Sequence, residues 1–300
     1  MSDQVRVDAH CHAARREWHG EGWWRALADR GAELLNVPTE LLLENIIPAL
    51  FDDDGSMQLA TMDQGGIDVA VMFAFDWSLH EQVGGGEVDW RGHNAWYADL
   101  ASRSPNRIRW GFGVDPRQSG AVEAFTEAVG RGAVCLKLHP GGGWAMDDPV
   151  AHPLLERARY LEVPVVMHVG PLPKPLDSSL ATPARLDEVA AAFPDLSIQA
   201  AHTGNDDWRA VVEVAERRPN VSCEISGWQA DMTEPDGVRA RIREVVDRVG
   251  PDRVMWGTDA PYFRPLVPDG DWAATVEDVL SEGERAAVMG GTATRFFGLD

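Results

Sequence analysis

Eight short apolar runs recur along this 300-residue chain, and most of them stop at a titratable side chain. They fall at residues 5–12, 67–75, 108–114, 133–139, 164–168, 196–202, 221–225 and 254–256. The runs are near-continuously apolar, as parallel strands buried on both faces must be. Between them lie amphipathic segments of helical length, such as 120–130, 151–162, 183–193, 208–218 and 238–249, and two more, 271–280 and 284–297, follow the last run. That periodicity suits helices that lay one face on a sheet. Eight β/α repeats in a chain of this length predict an α/β fold, a (β/α)8 TIM barrel. The rival is an open, doubly wound sheet, but no GxGxxG follows the first strand.

The rhythm is interrupted once. Residues 13–66 carry Trp23, Trp24, Leu27, Leu34 and Leu35, then Leu41, Leu42, Ile46, Ile47 and Leu50, at helical and irregular spacing. The pattern predicts a helical insertion between strands one and two, of two or three helices, that caps one mouth of the barrel. Its last helix, near 57–65, feeds the second strand. No Ser/Gly linker or low-complexity segment marks a second domain, so 1–300 reads as one domain.

Composition narrows the partners. A formal net charge of -21 repels nucleic acid and anionic membrane, which leaves a small molecule as the expected partner and a homodimer open. No run is long and apolar enough to span a bilayer, and the N-terminus has no basic, apolar leader, so a soluble cytoplasmic protein is expected. The three cysteines, Cys11, Cys135 and Cys223, form no CxxC pair and sit in apolar runs, as reduced buried thiols do. Trp is abundant, twelve residues against three Tyr. Trp77, Trp90, Trp144 and Trp228 fall in loop-like contexts, where they serve either core and lid packing or the walls of a ligand pocket.

In an α/β barrel the chemistry gathers at the C-terminal ends of the strands. Strand one ends in His10-Cys11-His12, and alternation along a strand points both imidazoles one way, with Ala9 and Cys11 pointing the other. Strand four supplies Lys137 and His139, strand five His168, strand six His202, and strand eight Asp259. Imidazoles with one carboxylate favour a divalent first-row metal, Zn²⁺ first, with Mn²⁺, Fe²⁺ or Co²⁺ open. Such an ion acidifies its water toward ~7. Asp259 can both ligate and accept that water's proton. His202 can join a second metal site or polarise a substrate carbonyl. His19, His80, His93 and His152 lie away from strand ends and read as surface or loop residues.

The series Val-Asp-Ala-His10-Cys-His12, Lys137-Leu-His139-Pro, Met-His168-Val-Gly, Ala-His202-Thr-Gly and Trp-Gly-Thr-Asp259-Ala-Pro resembles the motifs of the amidohydrolase superfamily. More narrowly it resembles the amidohydrolase 2 branch, which includes aminocarboxymuconate-semialdehyde decarboxylase. The resemblance implies a metal-dependent barrel enzyme, either a hydrolase of an amide, ester or lactone bond or a non-oxidative decarboxylase of an unsaturated or aromatic acid. In the mononuclear pattern His10, His12, His168 and Asp259 hold one ion and His202 acts as acid or base. In the dinuclear pattern a carboxylated Lys137 bridges two ions, and His168 and His202 hold the second. A lysine at this place leans toward hydrolysis; one ion beside an unmodified Lys137 that holds a substrate carboxylate is preferred. His139, Arg264, Trp144 and Trp228 are expected at the substrate, and Glu224 on strand seven as a partner behind a ligand histidine.

Overall fold

The computed structural model describes residues 5–299. Eight parallel strands pair in strict chain order, β1 (Val7–Cys11), β2 (Val69–Phe73), β3 (Ile108–Gly113), β4 (Leu136–Leu138), β5 (Val165–His168), β6 (Ile198–Ala201), β7 (Val221–Glu224) and β8 (Val254–Met255). Almost every strand residue is buried, because the interior packs one face and the helices pack the other. Ala9, Val71, Phe73, Val166, Ala201 and Met255, from five strands, form the interior cluster with Cys135, which precedes β4. Ala293 and Phe297 join it beside Val7, at the end where β1 begins.

The barrel closes between β1 and the segment that follows β8. Ala9 N–H donates to Trp256 O at 3.0 Å, Asp259 N–H to His10 O at 2.7 Å, and His12 N–H to Ala260 O at 2.7 Å. The wholly buried Asp8 clamps the same seam. Its carboxylate accepts the Thr258 hydroxyl at 2.6 Å, the Thr258 N–H at 3.0 Å and the His10 N–H at 3.1 Å. Burial pushes the Asp8 carboxyl up to about 7, against the pull of its Thr258 hydrogen bond.

Simple alternation fails in β1. The ladder to β2 slips between Asp8 and Cys11, a β-bulge. Ala9 consequently faces the interior, whereas Cys11 packs in the outer layer with Met62. The bulge re-aims side chains at a strand end, a place where such irregularities recur.

Between β1 and β2 the chain runs through helix α1 (Glu21–Leu35), short helical turns over 39–50 and a helix at Ser56–Gly65. Trp23 and Trp24 of α1 pack with Phe75, Trp77, Leu176 and Tyr262 in a cluster of their own. Helix Trp90–Arg103, which the apolar-run reading passes over, is capped by the Asp89 carboxylate accepting Gly92 N–H at 2.9 Å. It presents Trp90, Tyr97, Ala98 and Leu100 inward together with the polar His93 and Asn94, so its apolar pattern is faint. Among the described residues no helix is long and apolar enough to cross a membrane.

Asn94 ties this helix to β3: its side chain accepts Gly113 N–H at 2.9 Å and donates to Gly113 O at 2.8 Å. A Cβ on Gly113 would lie 1.8 Å from Ala74 O, so the backbones of β2 and β3 meet there without room for a side chain. Gly113→Ala is expected to lower unfolding free energy by about 3 kcal/mol. Urea denaturation measures this, and an unchanged midpoint would refute the contact.

Candidate metal centre

The closure seam puts three donors together. His10 Nε2 and His12 Nε2 are 3.2 Å apart, and Asp259 Oδ1 lies 3.6 Å from the first and 3.3 Å from the second. Donors held at about 2.1 Å from one tetrahedral ion stand roughly 3.4 Å from one another. The three spacings bracket that edge. Asp259 reaches this position in the left-handed region, at φ 51°, where Asp is among the tolerated residues.

The far side of each imidazole faces an oxygen. His12 Nδ1–H donates to Phe73 O at 2.8 Å, which leaves Nε2 with a lone pair. His10 Nδ1 lies 3.0 Å from Glu224 Oε2, close but out of line for a full hydrogen bond. Two imidazole nitrogens and a carboxylate oxygen at these spacings are the donor types a divalent first-row metal takes, so the set fits such an ion.

Lys137 stands beside the triad, its Nζ 3.5 Å from His10 Nε2 and 5.0 Å from the centre of the Phe73 ring. Burial pulls its ammonium down to about 8, although the carboxylates of Asp259 and Glu224 resist. Burial pushes Asp259 up, but His202, His12 and Lys137 outweigh it and leave the carboxyl below its usual range. Burial likewise drives His10, His139 and His168 well below the ordinary imidazole value and His202 to about 4. Glu224 is pushed up to about 8 by burial, against its hydrogen bonds from His202 and Ser226.

His202 follows β6 in a run of left-handed residues, His202, Thr203 and Asn205, of the kind that clusters at functional sites. His168 stacks on His139 at 4.1 Å and meets His202 edge-on at 5.0 Å. Both its ring nitrogens are buried and without a partner. His168 nevertheless stands outside the triad; the other group of converging donors among the described residues is His10, His202 and Glu224. His139 donates from Nδ1 to Pro140 O at 3.2 Å.

The triad opens onto a cavity of about 880 Å³. Lys137, His139, His168 and His202 line it together with His12 and Asp259. Its aromatic wall is Trp23, Phe75, Trp77 and Tyr262. Only Trp77 of these stood out in the sequence, because Trp23 comes from α1 and Tyr262 from the loop after Asp259. Both enter the wall by tertiary packing.

Three expected substrate contacts fall elsewhere. Trp228 is wholly buried behind the site and donates Nε1–H to His202 O at 2.9 Å. Trp144 packs in the layer between barrel and helices. Arg264 turns away from the cavity to pair with Asp269 at 2.8 Å and Gln58 Oε1 at 2.6 Å. In each case burial or a specific partner outcompetes the pocket. His19 and His93 are also buried, contrary to the surface reading; His19 stacks on Phe75 at 4.8 Å.

Comparison with known proteins follows the same lines. The family model described as Amidohydrolase matches residues 7–299. The chain is 28% identical over 166 residues to an L-fucono-1,5-lactonase of Burkholderia ambifaria, covering 52% of this chain and 57% of that enzyme. The matched stretch thus spans about half the length of that curated relative. A crystal structure of an amidohydrolase from Burkholderia multivorans with bound zinc superposes with TM-score 0.69 at 19% identity, covering 98% of this chain and 99% of the other. A 5-carboxyvanillate decarboxylase from Novosphingobium aromaticivorans, complexed with manganese and 4-hydroxy-3-methoxy-5-nitrobenzoic acid, gives TM-score 0.69 at 18% identity, covering 99% and 96%. At such low identity these two likenesses bear on the fold alone.

Purified protein is expected to take up one divalent ion per chain, and His10→Ala is expected to take up none at stoichiometric zinc while keeping its far-ultraviolet circular dichroism. Elemental analysis after desalting decides this, and full metal content in the variant would remove His10 from the site. Arg264→Ala is expected to destabilise the fold by about 3 kcal/mol, since it strands the buried Asp269 carboxylate. Its KM is expected to stay within threefold of the parent; a large rise would return Arg264 to the substrate.

Proposed function

The chain belongs to the amidohydrolase family, and we propose that this member is a metal-dependent hydrolase that opens a lactone of a small hydroxylated acid. The observation that carries the reading is the triad of His10 Nε2, His12 Nε2 and Asp259 Oδ1 at an aromatic-walled cavity. His10, His12 and Asp259 would hold one ion, Zn²⁺ by donor chemistry, with His168, whose two nitrogens lack partners, as the fourth ligand. When bound, the ion supplies a Lewis acid and a water acidified toward ~7.

The chain's own groups do the rest. Asp259, held ionised by His202, His12 and Lys137, accepts the proton of the attacking water and returns it to the ring oxygen that leaves. His202, pulled to about 4 by burial, is neutral at pH 7 and offers the substrate a second hydrogen-bonding group without adding charge. Trp23, Phe75 and Trp77 exclude water and pack against a flat ring. Lys137, faced by Asp259 and Glu224, keeps the buried cluster from accumulating negative charge.

A decarboxylase would use the same ligands and would also need a cationic grip on a substrate carboxylate. Arg264 is committed to Asp269, and Arg30, at the cavity wall, faces Glu33 at 3.4 Å. Lys137 and Lys174 line the cavity as well, so a cationic group is present for either substrate and the preference for hydrolysis rests on the likeness to a lactonase. The lactonase named above has the matching activity in its name.

Protein loaded with Zn²⁺ or Mn²⁺ is expected to release protons from hydroxylated γ- and δ-lactones and no CO₂ from hydroxybenzoic acids. CO₂ release without ring opening would overturn the reading in favour of decarboxylation. Asp259→Asn is expected to lower kcat/KM by about 10³-fold. Turnover within tenfold of the parent would deny Asp259 its proton-transfer role.

A further inference from the structure

The turn that leaves β6 is strained beside the candidate site. Its Asn205 has φ 48° and ψ -111°. Asn tolerates the left-handed helical well, but that well has positive ψ. These angles lie instead near the mirror image of the extended region, which glycine alone enters freely. Another residue held there costs stability and persists only where its surroundings fix it. Here they do. Trp228 Nε1–H donates to His202 O at 2.9 Å, the Thr203 hydroxyl donates to Glu224 O at 2.8 Å, and Trp208 N–H donates to Asn205 O.

Glycine at 205 would relax this turn, yet the chain places an amide there. Asn205 is half-buried and lines the cavity with His202 and Gly227. Among the described residues its side chain has no hydrogen-bond partner, and neither of its polar atoms is buried. The amide therefore adds no hydrogen bond to the turn that carries it. It stands instead at the same point of the wall as His202. A Cβ on Gly227 would lie 3.1 Å from Asn205 Oδ1 and 3.3 Å from His202 Nδ1, so the bare backbone of Gly227 leaves room for both side chains. A hydroxyl both donates and accepts, and a primary amide can answer it with either end without adding charge.

We infer that Asn205 is a substrate-binding residue that selects for hydroxyl groups on the lactone ring, and that the strained turn is what places its amide in the cavity beside His202. The inference rests on the lactone-hydrolase reading for the identity of the ring. The strain and the unpartnered amide do not depend on that reading. If Asn205 served the turn alone, removing its side chain would lower stability and leave selectivity untouched.

Asn205→Gly separates the two roles. Relief of strain is expected to exceed the entropy that glycine adds to the unfolded chain, and to raise the melting temperature of the metal-free protein by about 2–4 °C. Loaded with Zn²⁺, the same variant is expected to lose preference for a hydroxylated ring. Its kcat/KM for D-glucono-1,5-lactone relative to unsubstituted δ-valerolactone should fall by about 5- to 10-fold, mostly through KM. Unchanged preference, or a parent protein that opens only δ-valerolactone, overturns the inference. A fall in melting temperature overturns the strain argument and returns Asn205 to the turn. If the parent opens neither lactone, the proposed function fails by itself, and binding of the unreactive D-glucono-1,5-lactam, followed by titration calorimetry, decides Asn205. Binding about 5- to 10-fold weaker in the variant supports the assignment. Equal affinity in the two proteins, or no binding to the parent, overturns it.

Discussion

The seam between β1 and the segment after β8 is the constraint from which the site follows. A closed parallel barrel has to satisfy the backbone groups of its first and last strands against each other. Here His10 O accepts Asp259 N–H and His12 N–H donates to Ala260 O. The same two hydrogen bonds that remove the sheet edges therefore set the two imidazoles and the carboxylate side by side. Asp8 and Thr258 hold the seam from behind, in a position where water cannot compete. The donor geometry is in this sense a by-product of barrel closure, and it is rigid for the same reason.

Burial governs the electrostatics. Imidazoles, a lysine and two carboxylates meet where solvent is excluded, so charge is costly there. Burial depresses the imidazoles His10, His139, His168 and His202 and the Lys137 ammonium, and raises Glu224. Asp259 moves the other way and stays below its usual range, because the histidines and Lys137 surround it. The outcome is one strong carboxylate among weakly basic nitrogens, a donor set suited to a small divalent cation. The outer partners complete it: Phe73 O fixes His12, and Glu224 stands behind His10.

Much of this is legible in the residues. The eight apolar runs correspond to the eight strands, and Lys137, His139, His168, His202 and Asp259 all line one cavity. Legibility ends where a local rule meets a tertiary one. Period-two alternation breaks at the β1 bulge, so Ala9 faces inward. Trp144 and Trp228 resemble pocket aromatics in a loop-rich sequence, yet the layer beneath the helices claims both. Arg264 carries no local sign that Asp269 and Gln58 will capture it.

The sequence by itself determined the order of strands and helices and the chemical types at the strand ends, since both depend on periodicity and on which residue closes each run. Only the tertiary structure decided which donors converge. That choice depends on distances of a few ångströms across strands far apart in the chain, as between His12 and Asp259 at 3.3 Å. It also decided that His168 stacks on His139 beside the triad, and that Glu224 touches two histidines at once. A side chain's neighbours across a closed barrel are set by register and closure, which no local stretch of sequence encodes.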